Sequence, residues 1–533
     1  MPAAKVVLPG SRFALGVVGC VLLTLLNAPG ADWPQYRGGS GDGISTDRVQ
    51  KSWPAGGPTV LWRKPLTNGL SSFTVSQGRA FTLISRNDGG LKEMVVAVDA
   101  STGNQLWTRT IDDATVWDYN SSGNGGEGTS PYYRGDGPRS TPSVKDGRAF
   151  ALSGHLHLVC MNATNGSVLW SNHLAAAYGA SEPVNGWQSA ASPRLDDDLL
   201  FVNLGASSLA GTLCAFRATN GAVAWASQTE TSTHSTPVVA TIEGVRQVLF
   251  ATGTGIVSVD RNTGAFLWKF TYPFFPVDTA LGASPIVSSN IVVITAAYGS
   301  RGTAAFRVTR SGSTWTTTQL WFKNNALYKS TWMTPVVHQG YLYGKFSDKG
   351  LYGTPLVCLD LASGTVKWST NNFGMGGVLL VDNTLMTLTD DGRFILAQPK
   401  PTSYTELARF QAFQFNANTN GKCWSTPSVA DGRVYLRSTR EGLALDLSVS
   451  PLKMLAPQRT GGNRVQLWIG TVNGSAIDTN RLAKMEVRST TNLATGLGSW
   501  LKLTNSLVLS SGQVRVDNGD SGPTRYFIAV EQP

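Results

Sequence analysis

The sequence is short of charge, of histidine and of cysteine. Only 15% of its 533 residues are Asp, Glu, Lys or Arg, and it has 5 histidines and 5 cysteines. The cysteines show no CxxC pair and no metal-ligand spacing, so they define neither a disulfide scaffold nor a zinc site. Lys and Arg outnumber Asp and Glu by 44 to 34, giving a net charge of +10. These basic residues are scattered singly, so nucleic-acid binding is not expected.

Long hydrophobic runs are also missing, with one exception near the N-terminus. A positively charged start precedes an apolar run over residues 13–26, and small residues follow as far as Ala31. The run is short for a membrane span, and its flanks are typical of a secretory signal peptide over residues 1–31. The alternative is a lipoprotein anchored at Cys20, but the apolar run continues past that cysteine, which fits a lipobox poorly. We therefore expect a periplasmic or secreted protein with no transmembrane helix in the mature chain.

Stretches rich in Ala, Glu, Lys and Leu, which helical bundles require, are absent as well. Glycine is plentiful instead, with 58 residues beside 25 prolines, and the hydrophobic fraction of 41% is ample for a buried core. Wholesale disorder is therefore excluded, and collagen is excluded because the glycines have no period of three. What remains is an all-β protein with many short strands and tight turns.

A repeated pattern indicates how these strands are organised. An apolar strand, an Asp-like residue, a short stretch ending in Gly, and then a Trp recur along the chain. The copies end at Trp107, Trp170, Trp225, Trp268 and Trp368, and a degenerate copy ends at Trp321. Glycine permits a positive φ in a tight turn, and an Asp or Asn side chain bonds the turn backbone. The Trp brings a large apolar surface to the following strand.

A second piece, Ser-Thr-Pro followed by a turn and an apolar strand, precedes the copies, as at residues 140–150 and 425–435. Each unit is therefore a four-stranded antiparallel meander the size of a propeller blade. Counting predicts eight units over residues 32–450, the seventh having residues 407–410 in place of its Trp strand. The eighth has three strands of its own, and residues 60–63 supply the fourth and close the ring.

The repeat is absent after about residue 456. Short alternating strands over residues 463–533 predict a small C-terminal β-sandwich, with residues 451–462 as a linker. The predicted sandwich resembles the fibronectin-III or Ig-like domains appended to secreted bacterial proteins. The fold class is thus all-β: an eight-bladed β-propeller closed by an N-terminal strand, followed by a small β-sandwich.

The Asp-x-x-Thr-Gly-x-x-x-Trp repeats resemble those of the pyrroloquinoline-quinone (PQQ)-like propeller superfamily. That group holds PQQ-dependent alcohol dehydrogenases and BamB-like assembly proteins. Residues 32–38 (Asp-Trp-Pro-Gln-Tyr-Arg-Gly), 137–142 and 423–427 are similar to segments of a largely uncharacterised, BamB-like bacterial branch. The resemblance covers residues 32–447 and implies the propeller fold.

In a propeller the first strand of each blade lines the central channel, and the segment leading into it reaches one face. These segments bring aromatic and hydrogen-bonding side chains to a common channel mouth, the default place for a ligand or partner. The candidate binding residues are Arg139, Trp187, Gln188, His234, Lys329, Trp332, Cys423 and Trp424. The alternative is that these residues pack the mouth and hold water. The long, aromatic loop over residues 112–137 is a further candidate contact.

The resemblance also implies an enzymatic alternative, a PQQ- and Ca²⁺-dependent quinoprotein oxidoreductase acting on alcohols or sugars. Such enzymes have adjacent cysteines against the quinone, which this chain lacks, and a Trp beneath it, as Trp187 or Trp332 would be. Glu182 and Asn185 are the candidate calcium ligands, and Asp278 is a candidate base. Because short polar residues before a strand usually form turns, we expect neither metal nor cofactor and assign no catalytic residue.

The leading hypothesis is therefore an exported, non-catalytic propeller that serves as a binding or scaffolding module. It would act in envelope protein assembly or in extracellular recognition. Its ligand, a protein or a small molecule such as a carbohydrate, is expected at the channel mouth, and the protein is expected to be a monomer.

Overall fold

The computed structural model of the chain describes residues 32–113, 137–181, 188–274, 276, 281–298, 300–347, 353–414, 422–456, 458–459, 465–472, 474, 476–477, 479–490, 499–518 and 526–531. Residues 30–448 form one compact unit, and residues 449–533 belong to another. The predicted signal peptide lies outside the described residues. Within them, no helix is both long enough and apolar enough to cross a membrane.

The larger unit consists of antiparallel sheets that follow one another along the chain. Two strands precede them, β1 (Ile44–Ser45) and β2 (Thr59–Pro65). Seven meanders of four consecutive strands come next, numbered here as sheets I to VII. Their strands are, for sheet I, β3 (Thr74–Ser76), β4 (Arg79–Asn87), β5 (Leu91–Asp99) and β6 (Gln105–Asp113); for sheet II, β7 (Ser143–Lys145), β8 (Arg148–Leu152), β9 (His157–Asn162) and β10 (Val168–His173); for sheet III, β11 (Arg194–Asp196), β12 (Leu199–Asn203), β13 (Leu213–Arg217) and β14 (Val223–Ser227); for sheet IV, β15 (Val238–Ile242), β16 (Val245–Ala251), β17 (Gly255–Asp260) and β18 (Phe266–Thr271); for sheet V, β19 (Ile286–Ser288), β20 (Ile291–Thr295), β21 (Thr303–Ser311) and β22 (Thr314–Lys323); for sheet VI, β23 (Val336–His338), β24 (Tyr341–Lys345), β25 (Leu356–Asp360) and β26 (Val366–Thr370); and for sheet VII, β27 (Val378–Val381), β28 (Thr384–Leu388), β29 (Arg393–Ala397) and β30 (Glu406–Gln411).

An eighth sheet, sheet VIII, joins the two ends of this unit. Its consecutive strands are β31 (Ser428–Ala430), β32 (Arg433–Arg437) and β33 (Glu441–Asp446), and β2 pairs antiparallel with β33 to complete it. The sequence predicts this pairing for residues 60–63, and the prediction is confirmed. A short helix, α1 (Leu174–Tyr178), follows β10, and a 3₁₀ turn spans Ala326–Tyr328.

Neighbouring sheets are joined by a contact between the Trp of one sheet and the turn of the next. Trp225 Nε1 donates a hydrogen bond to the Arg261 carbonyl at 3.1 Å. Gly264 in the same turn has a φ of +72°, and a Cβ there would lie 2.6 Å from the Trp225 ring. The turn is held by the Asp260 carboxylate, which accepts the Thr263 N–H at 2.9 Å. The indole bond and the facing glycine recur at Trp62, Trp107, Trp170 and Trp321.

A one-residue β-bulge precedes the Trp position in the last hairpin of each sheet described. In sheet III, for example, Trp225 pairs with Ala215 and Val223 pairs with Phe216, so that Ala224 has no partner. The same irregularity occurs in the other seven sheets. Because a bulge turns the local side chains and increases the twist, it directs the indole across to the next sheet. The repeat pattern does not reveal this bulge.

Residues 33–45, the crossing segment, run between the inner strands of several sheets. Trp33 forms a bridge with Val75 of sheet I, and the Pro34 carbonyl accepts the Val144 N–H of sheet II at 2.7 Å. Gln35 Oε1 then accepts the Leu195 N–H of sheet III at 3.1 Å. One short segment therefore forms hydrogen bonds with backbone groups of three successive inner strands.

The crossing segment continues to the opposite sheets. Arg37, which is 2% exposed, donates to the carbonyls of Thr334 and Pro335 in front of sheet VI at 2.9 and 2.8 Å. β1 pairs in parallel with β27 of sheet VII, with Ile44 opposite Leu380. The inner strands thus surround the crossing segment, a role that the sequence does not predict for it.

The second unit contains two sheets. Its elements are β34 (Leu452–Met454), β35 (Gln458–Arg459), β36 (Val465–Thr471), α2 (Thr479–Leu482), β37 (Met485–Thr490), β38 (Leu501–Lys502), β39 (Leu507–Ser510), β40 (Gln513–Asn518) and β41 (Tyr526–Glu531). One sheet has the order β34-β36-β40-β39 with β35 beside β36, and the other has the order β38-β37-β41. Both contribute to one apolar core, to which Ile469, Val487 and Val516 belong.

Two short strands, β34 and β35, lie within residues 451–462, the predicted linker. Leu452 and Met454 are buried in the core of the second unit, and both pair with β36. With only three residues in β34, the alternation that marks a strand is too short to recognise in the sequence.

We predict that Gly264→Ala lowers the free energy of unfolding by about 2–3 kcal/mol, whereas Gly244→Ala costs about 1 kcal/mol. Both glycines lie in sheet IV with φ near +72°, but nothing lies within 4 Å of a Cβ at Gly244. Gly244→Ala is the control, because it has only the cost of placing a side chain at positive φ. The difference between the two variants in urea unfolding therefore measures the contribution of the Trp225 contact. Equal losses would show that the indole moves aside without cost.

Candidate functional site

The segments that lead into the inner strands are tied to one another by hydroxyl groups. The Ser72 N–H donates to Thr141 Oγ1 at 3.0 Å, the Thr141 N–H to Ser192 Oγ at 2.9 Å, and the Ser192 N–H to Thr236 Oγ1 at 3.0 Å. Ser284 and Thr334 form the same bond on the far side at 3.0 Å. Except for Ser72, each of these residues precedes a proline, which restricts it to an extended conformation. The Ser-Thr-Pro motif therefore forms a rigid rim, the channel mouth.

Two tryptophans meet on this rim between sheets VI and VIII. The ring centroids of Trp332 and Trp424 lie 5.4 Å apart at an interplanar angle of 40°. Lys422 Nζ lies 4.4 Å from the centroid of the Trp424 ring, a cation–π contact. Both indoles are half-buried. The arrangement offers apolar faces beside a positive charge, which suits a planar or apolar group that also carries negative charge.

The other predicted mouth residues lie in the same lead-in segments. Gln188 is buried and its Nε2 lies 3.0 Å from His155 Nε2. His234 and Lys329 are each 8% exposed, while Arg139 is half-buried. These side chains therefore support the rim more than they project from it. Trp187, Glu182, Asn185, Asp278 and residues 114–136 of the long loop lie outside the described residues.

The described cysteines are buried thiols. Cys160, Cys214, Cys358 and Cys423 are free, so no bond joins Cys160 to Cys214. Burial raises the pKa of Cys160 and of Cys214 to about 12, and it also raises the pKa of Cys423 at the mouth. Since the thiolate is the nucleophilic form, none of these cysteines is activated for covalent chemistry.

A buried lysine beneath the rim escapes the sequence analysis. Lys345 ends β24 of sheet VI, and its Nζ donates to the carbonyls of Met375, just before sheet VII, and Leu388, in sheet VII, at 2.8 and 2.7 Å. Burial lowers the pKa of Lys345 to about 7, although the nearby Asp390 and Asp391 oppose this shift. The signal in the sequence is a lysine that ends an otherwise uncharged strand.

Arg437 occupies the same position at the end of β32 in sheet VIII. It donates to the carbonyls of Leu83 at 2.9 Å and Thr67 at 3.3 Å in and before sheet I. Burial lowers the pKa of Arg437 to about 9. Each of these two basic side chains joins neighbouring sheets beneath the rim, and so both position the rim without projecting from it.

The indole-docked sheets, the common rim and the strand that closes the last sheet define a PQQ-like β-propeller. A family model described as outer membrane protein assembly factor BamB matches residues 91–370. The chain belongs to this BamB family of PQQ-like propellers.

Solved structures are similar to the chain at low sequence identity. BamB from Moraxella catarrhalis is 14% identical over 73% of this chain and 99% of its own, with a TM-score of 0.49. Quinohemoprotein alcohol dehydrogenase from Comamonas testosteroni is 12% identical over 81% of this chain and 83% of its own, with a TM-score of 0.54. The second likeness shows a shared fold and nothing further. No curated protein matches the sequence.

We predict that the stability of the protein rises with pH through the titration of Lys345. Its pKa falls from an ordinary 10.5 to about 7 in the fold, so between these values the unfolded chain binds a proton that the folded chain releases. The free energy of unfolding then increases by up to about 1.4 kcal/mol per pH unit from this group.

Urea unfolding between pH ~7.5 and ~9.5 measures this slope. Lys345→Met should flatten it, whereas Lys367→Met, at an exposed position in the same sheet VI, should leave it as in the wild type. An unchanged slope in Lys345→Met would show that Lys345 stays protonated in the fold.

Proposed function

We propose that the protein is an exported, non-catalytic binding module whose channel mouth takes a ligand or protein partner. The observation that carries this proposal is the half-buried Trp332–Trp424 pair with Lys422 beside it, set on a rim that hydroxyl bonds hold rigid. Aromatic groups held in place by a scaffold bind at low entropic cost. The remaining predicted mouth residues, Arg139, Trp187, Gln188, His234 and Lys329, would border this pair.

The architecture that we propose is an eight-bladed propeller followed by a small β-sandwich. The succession of eight sheets, the recurring indole contact between them and the completion of the last sheet by β2 support the blade count. The two sheets with one shared core in the second unit support the sandwich.

The family description supports a protein partner in assembly of the cell envelope. Such a role requires export, for which residues 1–31 provide the predicted signal peptide. Periplasmic or secreted localisation is therefore part of the proposal. The crossing segment also supports the proposed scaffolding role, because it contacts the backbone of several inner strands and so holds them together.

We predict that Trp332→Ala and Trp424→Ala each weaken partner binding at least about tenfold, since a central aromatic contributes 2 kcal/mol or more at an interface. The mature protein is used to capture partners from an envelope extract, and the captured protein is then titrated against each variant. The control is Trp53→Ala, because Trp53 is also half-buried but packs on Phe394 away from the rim.

Loss of binding in all three variants, together with a lower melting temperature, would show that the rim tryptophans are structural. Retained binding in both rim variants would place the partner elsewhere. Either result contradicts the proposed site.

A quinoprotein oxidoreductase is the second candidate, and the facing indoles favour it because they offer an apolar surface to a planar quinone. PQQ, if bound, would supply a hydride acceptor, with Trp332 and Trp424 against its ring. The candidate calcium ligands Glu182 and Asn185 lie outside the described residues. Across the residues that the structure does describe, no group of three or more His, Cys, Asp or Glu is placed to hold a metal ion.

Titration with PQQ and Ca²⁺ separates the two candidates. The binding-module proposal predicts no saturable change in quinone absorbance and no dye reduction with alcohols or sugars. Saturable binding accompanied by turnover would replace it with the enzymatic function.

A further inference from the structure

Sheet V lacks the glycine turn on which the Trp of the preceding sheet, sheet IV, would dock. In sheet V the tight turn at Gly312 lies eight residues before the bulge at Leu320, so the hairpin of β21 and β22 is long. In the Asp-to-Trp repeats the turn comes only a few residues before the bulge. The turn on which Trp268 would dock is therefore missing. Trp268 Nε1 donates instead to Gln247 Oε1 of its own sheet at 2.7 Å. Where a repeat replaces its standard contact with a longer hairpin, as it does here, a local function is indicated.

The extended hairpin, residues 307–319, forms an arm of two paired strands. Arg310 lies over the Trp315 ring, 5.3 Å from its centroid. On the same face of the arm, Thr317 Oγ1 donates a hydrogen bond to the Lys269 carbonyl of sheet IV at 3.4 Å. Thr314, Thr316 and Thr318 on the opposite face are exposed. The arm thus presents one row of threonines to solvent.

The outer strand of this arm is an unusually unprotected sheet edge. β22 has ten residues and carries no charge before Lys323. Five of the other seven outer strands contain Lys, Arg, Asp or Glu, and the remaining two, β10 and β14, have six and five residues. Charges and short length are the usual means of preventing edge pairing. Within the described residues, the backbone of β22 pairs with β21 alone.

The hydrogen-bonding direction of β22 follows from its hairpin. Ser311 pairs with Thr314 across the tight turn, and the ladder continues with Thr309 opposite Thr316. Since paired residues alternate in an antiparallel ladder, Thr314, Thr316 and Thr318 bond to β21. Trp315 and Thr317 then direct their N–H and C=O groups outward, where no other strand of the described residues pairs with them.

We propose that β22 is a dimerisation strand that pairs antiparallel with β22 of a second copy of this chain. With the two-fold axis at Thr316, Trp315 of one copy faces Thr317 of the other, and both residues direct their free backbone groups into the seam. Thr316 faces Thr316, and Thr314 faces Thr318. Cross-strand threonine pairs stabilise such a seam, and the absence of charge from Thr314 to Phe322 removes repulsion between identical strands.

A second copy fits this edge because the pairing is closed by its own symmetry. Antiparallel pairing of identical strands uses the same patch on both chains, so it ends at a dimer and not at a fibre. The dimer replaces the monomer expected from the sequence. It is independent of the proposed channel-mouth function, since Trp332 and Trp424 take no part in the seam.

Charge exchange at the axis tests the proposal with the full mature protein in sedimentation velocity from micromolar to near-millimolar concentration. Wild type should form dimers. Thr316→Lys alone and Thr316→Glu alone should dissociate at least about tenfold more readily, because each places like charges face to face. An equimolar mixture of the two variants should dimerise again as the mixed pair. Thr110→Lys, at an exposed position on the outer strand β6, should behave as wild type.

Thr317→Pro provides an independent variant, because it removes an outward N–H that the β21 ladder does not use, and it should also give monomers. A wild type that stays monomeric at all concentrations would overturn the proposal. That holds even if a synthetic peptide with the β22 sequence binds the edge, because the partner would then be a strand from another protein. Dimers that persist in every variant would overturn it as well, since they would lie on another surface. Failure of the mixed variants to pair again would exclude the two-fold register.

Discussion

The bond between an indole of one sheet and the glycine turn of the next is the interaction on which the rest of the structure depends. It combines an apolar ring, a hydrogen bond to a carbonyl and a turn without Cβ, as at Trp225, Arg261 and Gly264. None of the three acts alone, because the ring reaches the carbonyl only when nothing projects from the glycine. A sheet of four short strands buries too little surface by itself, so each sheet is stable only beside its neighbour.

The N-terminal residues repair the places where this interaction is missing. Sheet VII has Ala408 directly after its bulge, at the position where other sheets have Trp, and Phe410 follows two residues later. Gly57 comes close against Phe410, and Trp53 stacks on Phe394 and donates to the Arg409 carbonyl at 3.2 Å. The same stretch of chain then supplies β2 to the last sheet. One segment therefore provides both the glycine and the tryptophan that sheets VII and VIII lack.

Local repetition explains which parts of the fold could be predicted. The Asp-to-Trp motif contains its own turn, strand and docking residues, so reading it in copies predicts the sheets and the membership of the PQQ-like group. The strand at residues 60–63 was predictable because it matches a copy without a sheet of its own. Arg37 was not, since its partners Thr334 and Pro335 lie almost 300 positions away. Lys345 and Arg437 were also missed, because a basic residue at the end of a strand does not reveal which distant carbonyls accept its hydrogen bonds. The channel-mouth roles stay predictions; what the structure adds is the contact between Trp332 and Trp424.

The crossing segment has a consequence for how the protein acquires its fold. Arg37 and Ile44 of this segment contact residues 334–335 and 380, so about 300 more residues must be made before these contacts form. Such long sequence separation slows folding, because a large loop must close before the contacts stabilise it. A chain that completes its fold only after its last sheet is made remains open for most of its synthesis. That delay suits the proposed export, in which the polypeptide would cross a membrane unfolded and close on itself on the other side.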